Sequence, residues 1–400
     1  MSSHCNPSVV DDGLVFLYDV EDIQSYKGEP VVNIWSVAQG GGSVNNRTSW
    51  DRPNVYNGDI TDSVYTGGTW NGNRIWEVLH TEGTTGYGGY ESWRLCVSQP
   101  TAGSYSSTRR VAIKICILEG SISDLAIHSG GGNSSHNSSY FTAIPESQVP
   151  TDCPIKSGWY QFLAPANWTS TAVGHCVGLG FITYNRVKIL TAEPMYYPSD
   201  HLIPFSGTER TTTQGLIDRT GNETIDLSNV SFDSNAQMTF DGTDDYIDLG
   251  DLGLGSGPFT VEAVIYPTLA STYHVFFRKG DSSTSNDNMD WSMGYDYNQF
   301  HVRTQNASVS INEYAGANFV NNYGHVTLTY NGSTIRMYVN GSEVSNKTVT
   351  LANNYSNYSI GRGINNYAQL DVNTLKVYNQ ALTSTEVTKN FNAIRSRFGL

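Results

Sequence analysis

The residues whose types could carry out chemistry are mostly acidic, and four of them stand close together in the stretch MTFDGTDDYIDLG at residues 238–250. Asp241, Asp244, Asp245 and Asp248 could hold a metal ion or move a proton, since carboxylates do both. The stretch also has the pattern of a turn, because apolar residues lead into Asp241-Gly242 and resume after it. Aspartates in turns bond their own backbone. We therefore interpret the stretch as two strands joined by Asx turns at Asp241 and Asp244, without a metal.

Hydrolysis of a glycoside would need two carboxylates at a fixed separation across a cleft. The laminarinase-like families of glycosidases place theirs on one strand as Glu-x-Asp-x-x-Glu, since alternate residues share a face. The sequence lacks that pattern. Glu262 is the nearest strand carboxylate, but Thr260 and Val264 are its neighbours on that face, which favours a solvent-facing or sheet-edge position. The chain also lacks a G-x-S-x-G elbow, a P-loop and an H-E-x-x-H motif. The sequence therefore predicts no catalytic residues and no enzyme.

Calcium is a better metal candidate than one held by the two histidines of HSGGGNSSH at 128–136, whose Gly-Ser spacer indicates a flexible loop. Residues 278–290 read RKGDSSTSNDNMD and supply Asp281, Asp287 and Asp290. These are the hard oxygen ligands that calcium prefers, but the loop lacks the EF-hand spacing and its glycine. A solvated polar loop is the favoured interpretation, and no other cofactor is predicted.

Glycan binding depends on aromatic side chains, because sugar faces stack on Trp and Tyr while amides and carboxylates bond the hydroxyls. Residues 65–76 and 85–93 place four such candidates beside small polar residues: Trp70, Trp76, Tyr87 and Tyr90. Trp70 lies between glycine-rich turns, which predicts exposure. The alternative is that tryptophans of alternating strands, such as Trp76, belong to a core.

The net charge of −14 excludes some partners. Phosphate binding draws on clustered Lys and Arg, so the absence of a basic run argues against nucleic acid and against an anionic membrane surface. No apolar stretch approaches the roughly 20 residues of a spanning helix. The first residues, MSSHCNPSVVDDG, lack the pattern of a signal peptide. We therefore expect synthesis in a reducing cytosol and interpret the five cysteines as free buried thiols rather than disulfides.

Short strands joined by polar turns dominate the pattern. The stretch FTVEAVIYP at 259–267 alternates between two faces, and Asn331-Gly332 joins two alternating runs as a hairpin signal. One helix is predicted near the end, where Thr383 and Glu386 form a capping box. Its apolar stripe is Val387, Phe391 and Ile394, and Gly399 is expected to end it. The prediction is an all-β chain with a short C-terminal helix.

Together these stretches make the second half of the chain similar to the laminin-G-like, concanavalin-type jelly-roll sandwich. LIDRTGN at 216–222, MTFDGTDDYIDLG, FTVEAVIYP and the hairpin at 325–341 occur in the order of that family. The ending LKVYNQALTSTEVTKNFNAIRSRFGL resembles its closing segment. The residues AQLDVNTLKVYN at 368–379 depart from it, because the family often has Gly-x-Ile-Asp there.

The first half resembles, more loosely, the jelly rolls of carbohydrate-binding modules. The runs RRVAIKICIL, SGWYQF and GLGFITY follow the strand order of those modules, and Glu193 keeps one residue of their closing segment. Seven of the eight tryptophans precede residue 205, which marks a change in composition. We predict two jelly-roll β-sandwich domains: an inserted module at 30–205, and a laminin-G-like sandwich built from 1–29 plus 206–400.

This pair of domains, with the opening GLVFLYDVEDIQSYKG, resembles virion structural proteins of tailed bacteriophages. The resemblance implies a non-enzymatic appendage, fibre or capsid decoration that contacts other virion proteins of the capsid, neck or tail. It also implies binding of host-surface glycans, a homo-oligomer such as a trimer, and assembly into the virion in the host cytoplasm. In those proteins the opening strand, here Leu14–Tyr18, belongs to the laminin-G-like sandwich. The alternatives are a lectin-like polysaccharide-binding protein and a glycoside hydrolase.

Overall fold

A computed structural model describes the chain in two compact units, residues 31–210 and residues 1–30 with 211–400. The described residues are 9–32, 55–56, 60–81, 93–97, 109–129, 133–164, 177–181, 185–198, 202–206, 209–233, 235–268, 273–281, 288–305, 311–316, 320–363 and 366–400. Within them, every pair of neighbouring strands is antiparallel. The all-β prediction, with sandwiches and a short C-terminal helix, is confirmed.

The strands are numbered along the chain. The first fourteen are β1 (Leu14–Asp19), β2 (Val31–Val32), β3 (Val55–Tyr56), β4 (Ile60–Trp70), β5 (Asn73–His80), β6 (Trp93–Val97), β7 (Arg109–Glu119), β8 (Leu125–Ser129), β9 (Asn133–Ser135), β10 (Phe141–Ala143), β11 (Trp159–Leu163), β12 (Val177–Phe181), β13 (Val187–Pro198) and β14 (Glu209–Arg210). The others are β15 (Ser231–Phe232), β16 (Met238–Thr239), β17 (Ile247–Asp251), β18 (Phe259–Pro267), β19 (His274–Gly280), β20 (Met289–Asp296), β21 (Gln299–Thr304), β22 (Asn312–Ala315), β23 (Gly324–Tyr330), β24 (Thr334–Val339), β25 (Ser342–Thr348), β26 (Asn357–Ile360) and β27 (Leu370–Tyr378). Short 3-10 helices span Ile122–Asp124, Ser138–Tyr140 and Glu146–Gln148, and the α-helix α1 spans Ser384–Ile394.

The unit of residues 31–210 has one sheet in the order β10-β11-β7-β13-β5-β4 and another in the order β3-β6-β12-β8-β9. Inward-facing residues of β7 and β13, such as Ile113 and Ile189, belong to one apolar cluster of this unit. A second cluster contains Trp159 of β11 and the free thiols Cys116 and Cys153. The prediction of free thiols is therefore confirmed for these two cysteines.

The other unit is a sandwich of two six-stranded sheets. The back sheet has the order β1-β27-β18-β23-β24-β25, and the front sheet has the order β17-β26-β19-β20-β21-β22. Strand β1, from the start of the chain, pairs with β27 near its end, and Leu17 lies opposite Lys376. The hypothesis that Leu14–Tyr18 packs in this sandwich is confirmed by that pairing.

Alternation along each strand builds the core of this unit. In β18, Val261, Ala263 and Ile265 face the front sheet, and Trp291 and Met293 of β20 face back toward them, all fully buried or nearly so. Trp291 stacks on Phe259 with ring centroids 4.7 Å apart. Burial of these apolar side chains is the main force that holds the two sheets together.

Helix α1 covers the outer face of the back sheet. The predicted capping box is confirmed, because Thr383 accepts a hydrogen bond from the backbone of Glu386 and the Glu386 side chain accepts one in return. The predicted stripe is only partly right. Val387 and Ile394 are buried, but Phe391 is half-buried, and the buried face also contains Asn390 and Ala393. The helix stops at Ile394, before Gly399, because the chain continues in tight turns.

The acidic stretch at 238–250 forms the turn that its pattern predicts. The Asp241 carboxylate accepts from Thr243 N at 2.7 Å, as an Asx turn does. The second aspartate that orders the turn is Asp245 rather than Asp244. Its two carboxylate oxygens accept from Ser231 N at 2.8 Å and Asp241 N at 2.7 Å. Oxygens of Asp241, Asp244 and Asp245 lie within 4.8 Å of one another, but these backbone donors already explain the arrangement.

Candidate functional site

The outer face of the front sheet carries polar and aromatic side chains. Since Met293 and Val302 point into the core, their neighbours Ser292, His301 and Arg303 point outward. Strand pairing places Ser292 opposite Arg303. These side chains therefore meet on one surface although they come from separate strands.

A tyrosine from the loop before β19 lies across this surface. The Tyr273 hydroxyl and the Ser292 hydroxyl are 3.0 Å apart, within hydrogen-bonding distance. The Tyr273 ring meets the His301 ring edge-on at 4.6 Å. Gly294 lies beneath the tyrosine, since a Cβ there would come 3.1 Å from Tyr273 Cε2 and 2.6 Å from the carbonyl oxygen of His274. The glycine therefore gives the ring room to lie on the sheet.

The aromatic contacts continue toward solvent. Tyr314 of β22 stacks on His301 with centroids 4.3 Å apart. Tyr297, at the tip of the β20–β21 hairpin, contacts Tyr314 edge-on at 5.8 Å and is 70% exposed. We call the exposed Tyr297 and the half-buried Tyr314 together the tyrosine platform. It ends a row of four rings that begins at the half-buried Tyr273.

The hairpin that presents Tyr297 is unusual in its backbone. Tyr297 and Asn298 have φ values of +46° and +65°, which matches the two central positions of a type I′ turn. Positive φ is costly for a bulky residue such as tyrosine, and such conformations cluster at functional sites. The strain is offset by Asp296, whose carboxylate accepts from Tyr297 N at 2.9 Å. The other Asp296 oxygen accepts from the Tyr314 hydroxyl at 3.3 Å, so one buried carboxylate joins both members of the platform.

The electrostatics of the surface keep its rings uncharged near neutral pH. Burial lowers the pKa of His301, although its contact with Asn312 raises it in part. A neutral His301 donates from Nε2 to Asn312 Oδ1 at 2.6 Å. Burial also raises the pKa of Tyr314. The surface therefore offers aromatic faces, an exposed amide at Asn312 and the Arg303 guanidinium, which are groups that hold a sugar ring by stacking and hydrogen bonding.

The structure places the sequence-predicted aromatics elsewhere. Trp70 and Trp76 are only 2% and 6% exposed. Trp70 packs edge-on against Trp159 at 4.7 Å, below the ammonium of Lys114. The expectation that Trp70 is exposed is therefore wrong, because turns on both sides do not prevent burial against another strand. Tyr87 and Tyr90 lie outside the described residues.

The calcium candidates have protein partners where they are described. Asp290 is fully buried and accepts from the backbone N–H groups of Asn354 and Tyr355 at 3.0–3.2 Å. Lys279 Nζ lies 3.7 Å from the same carboxylate. Asp281 accepts instead from the Asn288 side chain at 2.7 Å. Asp287 lies outside the described residues. The contacts of Asp281 and Asp290 give no support to calcium binding by this loop.

Glu262 differs from its expected position. It lies on β18, a central strand of the back sheet, and is 1% exposed. The expectation of a solvent-facing or sheet-edge side chain is therefore wrong, and the reason is that α1 covers this face. The helix supplies Asn390, whose Nδ2 donates to Glu262 Oε2 at 2.5 Å. A carboxylate enclosed in this way is not presented to a substrate.

Sequence reasoning did not single out Tyr273, Tyr297 or Tyr314. The run MGYDYNQFHVRT at 293–304 contains a usable signal. Two alternating segments flank Tyr297-Asn298, and asparagine is one of the residues that tolerate positive φ in a hairpin turn. The signal is weak, because tyrosine is uncommon at such a turn and Tyr314 reaches the site only through the pairing of β21 with β22.

Residues 241–388 match the family model of the concanavalin A-like lectin/glucanases superfamily. These residues fall within the sandwich that carries the tyrosine platform, so this part of the chain is similar to concanavalin A-like sandwich domains. This agrees with the laminin-G-like resemblance of the sequence. Among the curated proteins, none matches the chain.

Several solved structures are partly similar. A Trypanosoma rangeli sialidase in complex with 2,3-difluorosialic acid has 18% identity and a TM-score of 0.37, covering 44% of this chain and 30% of the sialidase. The binding domain of Paraclostridial mosquitocidal protein 1 has 16% identity and a TM-score of 0.35, covering 44% of this chain and 49% of the other. The binding domain of botulinum neurotoxin serotype D has 13% identity and a TM-score of 0.36, covering 46% and 49%. The chain thus spans half or less of the length of each.

In the described part of the chain, no helix is long and apolar enough to cross a membrane.

Proposed function

We propose that this protein is a non-enzymatic, lectin-like glycan-binding protein and that the tyrosine platform holds the sugar. The observation that carries the proposal is the pairing of exposed Tyr297 with Tyr314 on the outer face of a lectin-type sandwich. The positive φ of Tyr297 adds support, since strained backbone is retained where a side chain must be presented in one direction.

Binding is favoured over hydrolysis at this site. A glycosidase needs one carboxylic acid that donates a proton and a second carboxylate that attacks or activates water. Asp296 is the carboxylate in contact with the platform, and both of its oxygens already accept hydrogen bonds. Glu262 is enclosed beneath α1. Glycoside hydrolysis therefore remains the alternative function. Release of reducing ends from a polysaccharide incubated with the protein would support it.

We predict that Tyr297→Ala weakens glycan binding by about tenfold or more, which corresponds to about 1.4 kcal/mol. The change removes one stacking face while leaving the core untouched, because Tyr297 is 70% exposed. Binding is measured on a glycan array and then by calorimetry with the best ligand.

Two variants control that experiment. Tyr297→Phe keeps the ring and should bind nearly as well as the unchanged protein. Ile23→Ala alters an equally exposed apolar residue, 71% accessible, elsewhere in the same unit and should have no effect. If Tyr297→Ala and the unchanged protein bind with equal affinity, the sugar does not bind at the platform. An array that stays blank at high protein concentration would contradict glycan binding itself.

We further infer that the protein acts as a structural component of a tailed-bacteriophage virion, an appendage, fibre or capsid decoration. The pairing of β1 with β27 supports this, because it makes the laminin-G-like sandwich discontinuous in sequence, as in the virion proteins that the sequence resembles. The proposed partners are other virion proteins, in the capsid, neck or tail, and further copies of this chain such as a trimer. Assembly would take place in the host cytoplasm.

The virion role predicts that the protein is present at a fixed copy number in purified particles. Mass spectrometry of particles from a phage that encodes this chain should detect it, and electron microscopy with an antibody should locate it. Gel filtration of the isolated protein tests for a trimer. A protein found in the infected cell but missing from gradient-purified particles would rule out the structural role without affecting glycan binding.

A further inference from the structure

An arginine beside the tyrosine platform, Arg303, has no acceptor among the residues that the structure describes. Arg303 lies on β21, where strand pairing places it between Ser292 of β20 and Asn312 of β22. Its side chain is half-buried on the outer face of the front sheet. Across the residues that the structure describes, no carboxylate and no carbonyl oxygen lies within hydrogen-bonding distance of its guanidinium.

Four other arginines of the same unit are paired with carboxylates. Their closest N–O distances are 3.6 Å for Arg219 with Asp22, 3.0 Å for Arg336 with Glu343, 3.1 Å for Arg362 with Asp248 and 2.6 Å for Arg397 with Asp19. In a protein with a net charge of −14, carboxylates are plentiful, yet none of the described ones pairs with Arg303. Its guanidinium is therefore available to an anionic ligand from solution.

The position of Arg303 links it to the row of rings. It lies two residues from His301 on the same strand face, and His301 stacks on Tyr314 of the platform. Burial raises the pKa of Tyr273, and the hydrogen bond to Ser292 and the positive charge of Arg303 oppose that rise. The positive charge of Arg303 therefore acts on the ring of Tyr273. The exposed amide of Asn312 lies on the same surface.

We propose, building on the proposed glycan-binding function, that Arg303 binds the carboxylate of an acidic sugar whose neighbouring ring stacks on the tyrosine platform. A guanidinium presents two parallel N–H donors that match the two oxygens of a carboxylate. Uronic and sialic acids carry such a group on the sugar ring, so a single residue of either kind could meet both the fork of Arg303 and the polar side chain of Asn312.

The test is an array that holds four matched groups of glycans. These are oligosaccharides with uronic or sialic acids, the same glycans after reduction of the carboxyl group, glycans whose only charged groups are sulfate esters, and neutral glycans. The proteins compared are the unchanged chain, Arg303→Gln, Arg303→Lys, Tyr297→Ala and Arg395→Gln. Arg395 is an exposed residue at the end of α1 and serves as the matched control.

We expect binding to the carboxylated glycans that falls by about tenfold to a hundredfold on carboxyl reduction or in Arg303→Gln. Arg303→Lys should fall between these limits because lysine keeps the charge and loses the fork. Arg395→Gln should bind like the unchanged protein, and affinity should decrease with added salt. Thermal unfolding of each variant shows that the fold is intact, so that a loss of binding is assigned to the ligand contact.

Each other outcome is decisive. Equal binding of carboxylated and carboxyl-reduced glycans, or full binding by Arg303→Gln, would overturn the role of Arg303. Binding to sulfate esters alone would assign the site to a different anion and overturn the carboxylate. Binding to neutral glycans that depends on Tyr297 but not on Arg303 would support the proposed function and reject the role of Arg303. A blank array in all four groups would reject both.

Discussion

We expect Glu262→Ala to lower the free energy of unfolding by about 3–5 kcal/mol, the cost of removing one partner from a buried ion pair. Glu262 is 1% exposed, and its carboxylate lies 3.2 Å from His325 Nε2 and 3.8 Å from Lys376 Nζ. Without it, the Lys376 ammonium would remain buried beneath α1 with no counter-charge. The loss should appear in urea unfolding followed by circular dichroism.

The effect should be large because Glu262 also anchors distant parts of the chain. Asn390 of α1 donates to Glu262 and to the Tyr378 hydroxyl at 3.0 Å. The side-chain oxygen Oδ1 of Asn390 accepts from Val10 N at 2.7 Å, and the Tyr378 hydroxyl donates to Val10 O at 3.1 Å. One buried network therefore joins the N-terminal segment, the back sheet and the C-terminal helix. Hydrogen exchange should show faster opening of α1 in Glu262→Ala.

Glu343→Ala is the matched control on the same sheet. Glu343 pairs with Arg336 at 3.0 Å, but the side chains are 32% and 44% exposed. Exposed pairs contribute about 0–1 kcal/mol to stability, so this change should leave the free energy of unfolding almost unchanged. A Glu262→Ala variant that is no less stable than Glu343→Ala would show that the buried network does not stabilise the fold.

The same network sets a pH dependence. Burial by itself would raise the pKa of Glu262, but Lys376, His325 and Asn390 outweigh it and hold the pKa below its usual value of 4.5. Because the folded-state pKa is lowered, the stability that Glu262 contributes is present above pH 4.5 and is lost as the pH falls below it. Between about pH 5 and about pH 3, Glu262→Ala should lose less stability than the unchanged protein.

The second large effect is expected from Gly361→Ala, which should cost about 2–5 kcal/mol from strain and overpacking together. Gly361 follows β26 with a φ of +77°, a left-handed conformation that favours glycine. An added Cβ would lie 2.4 Å from Phe240 Cδ1 and 2.8 Å from the Asp245 carbonyl oxygen. The change would therefore push apart β26 and the acidic turn at 241–245. Thermal unfolding measures the loss.

Gly332→Ala separates the two causes. Gly332 has a similar φ of +97° in the β23–β24 hairpin, but an added Cβ would meet no atom within 4 Å. This variant should show only the cost of backbone strain, about 1–2 kcal/mol. Equal losses in the two variants would mean that Phe240 and Asp245 relax freely and that packing around Gly361 is not tight.

Local patterns in the sequence were sufficient to predict individual hairpins, strands and the helix cap. The Asn331-Gly332 hairpin, the Thr383–Glu386 capping box and the alternation of β18 all occur as predicted, because each depends on residues a few positions apart. The order of such stretches also indicated the laminin-G-like sandwich that the family match supports. The predicted apolar stripe of α1 was only partly correct. Hydrophobic periodicity does not indicate that the polar Asn390 faces inward and bonds a buried carboxylate.

What the sequence determined by itself is therefore the all-β class, the hairpins, the helix cap and the turn at Asp241. Tertiary structure alone decided that Trp70 is buried, that Glu262 is enclosed by α1, and that Tyr297, Tyr314 and Arg303 share one surface. The physical reason is that a turn or a cap is satisfied by neighbours along the chain. Burial and strand register instead depend on which distant segments pair and on what covers each face of a sheet.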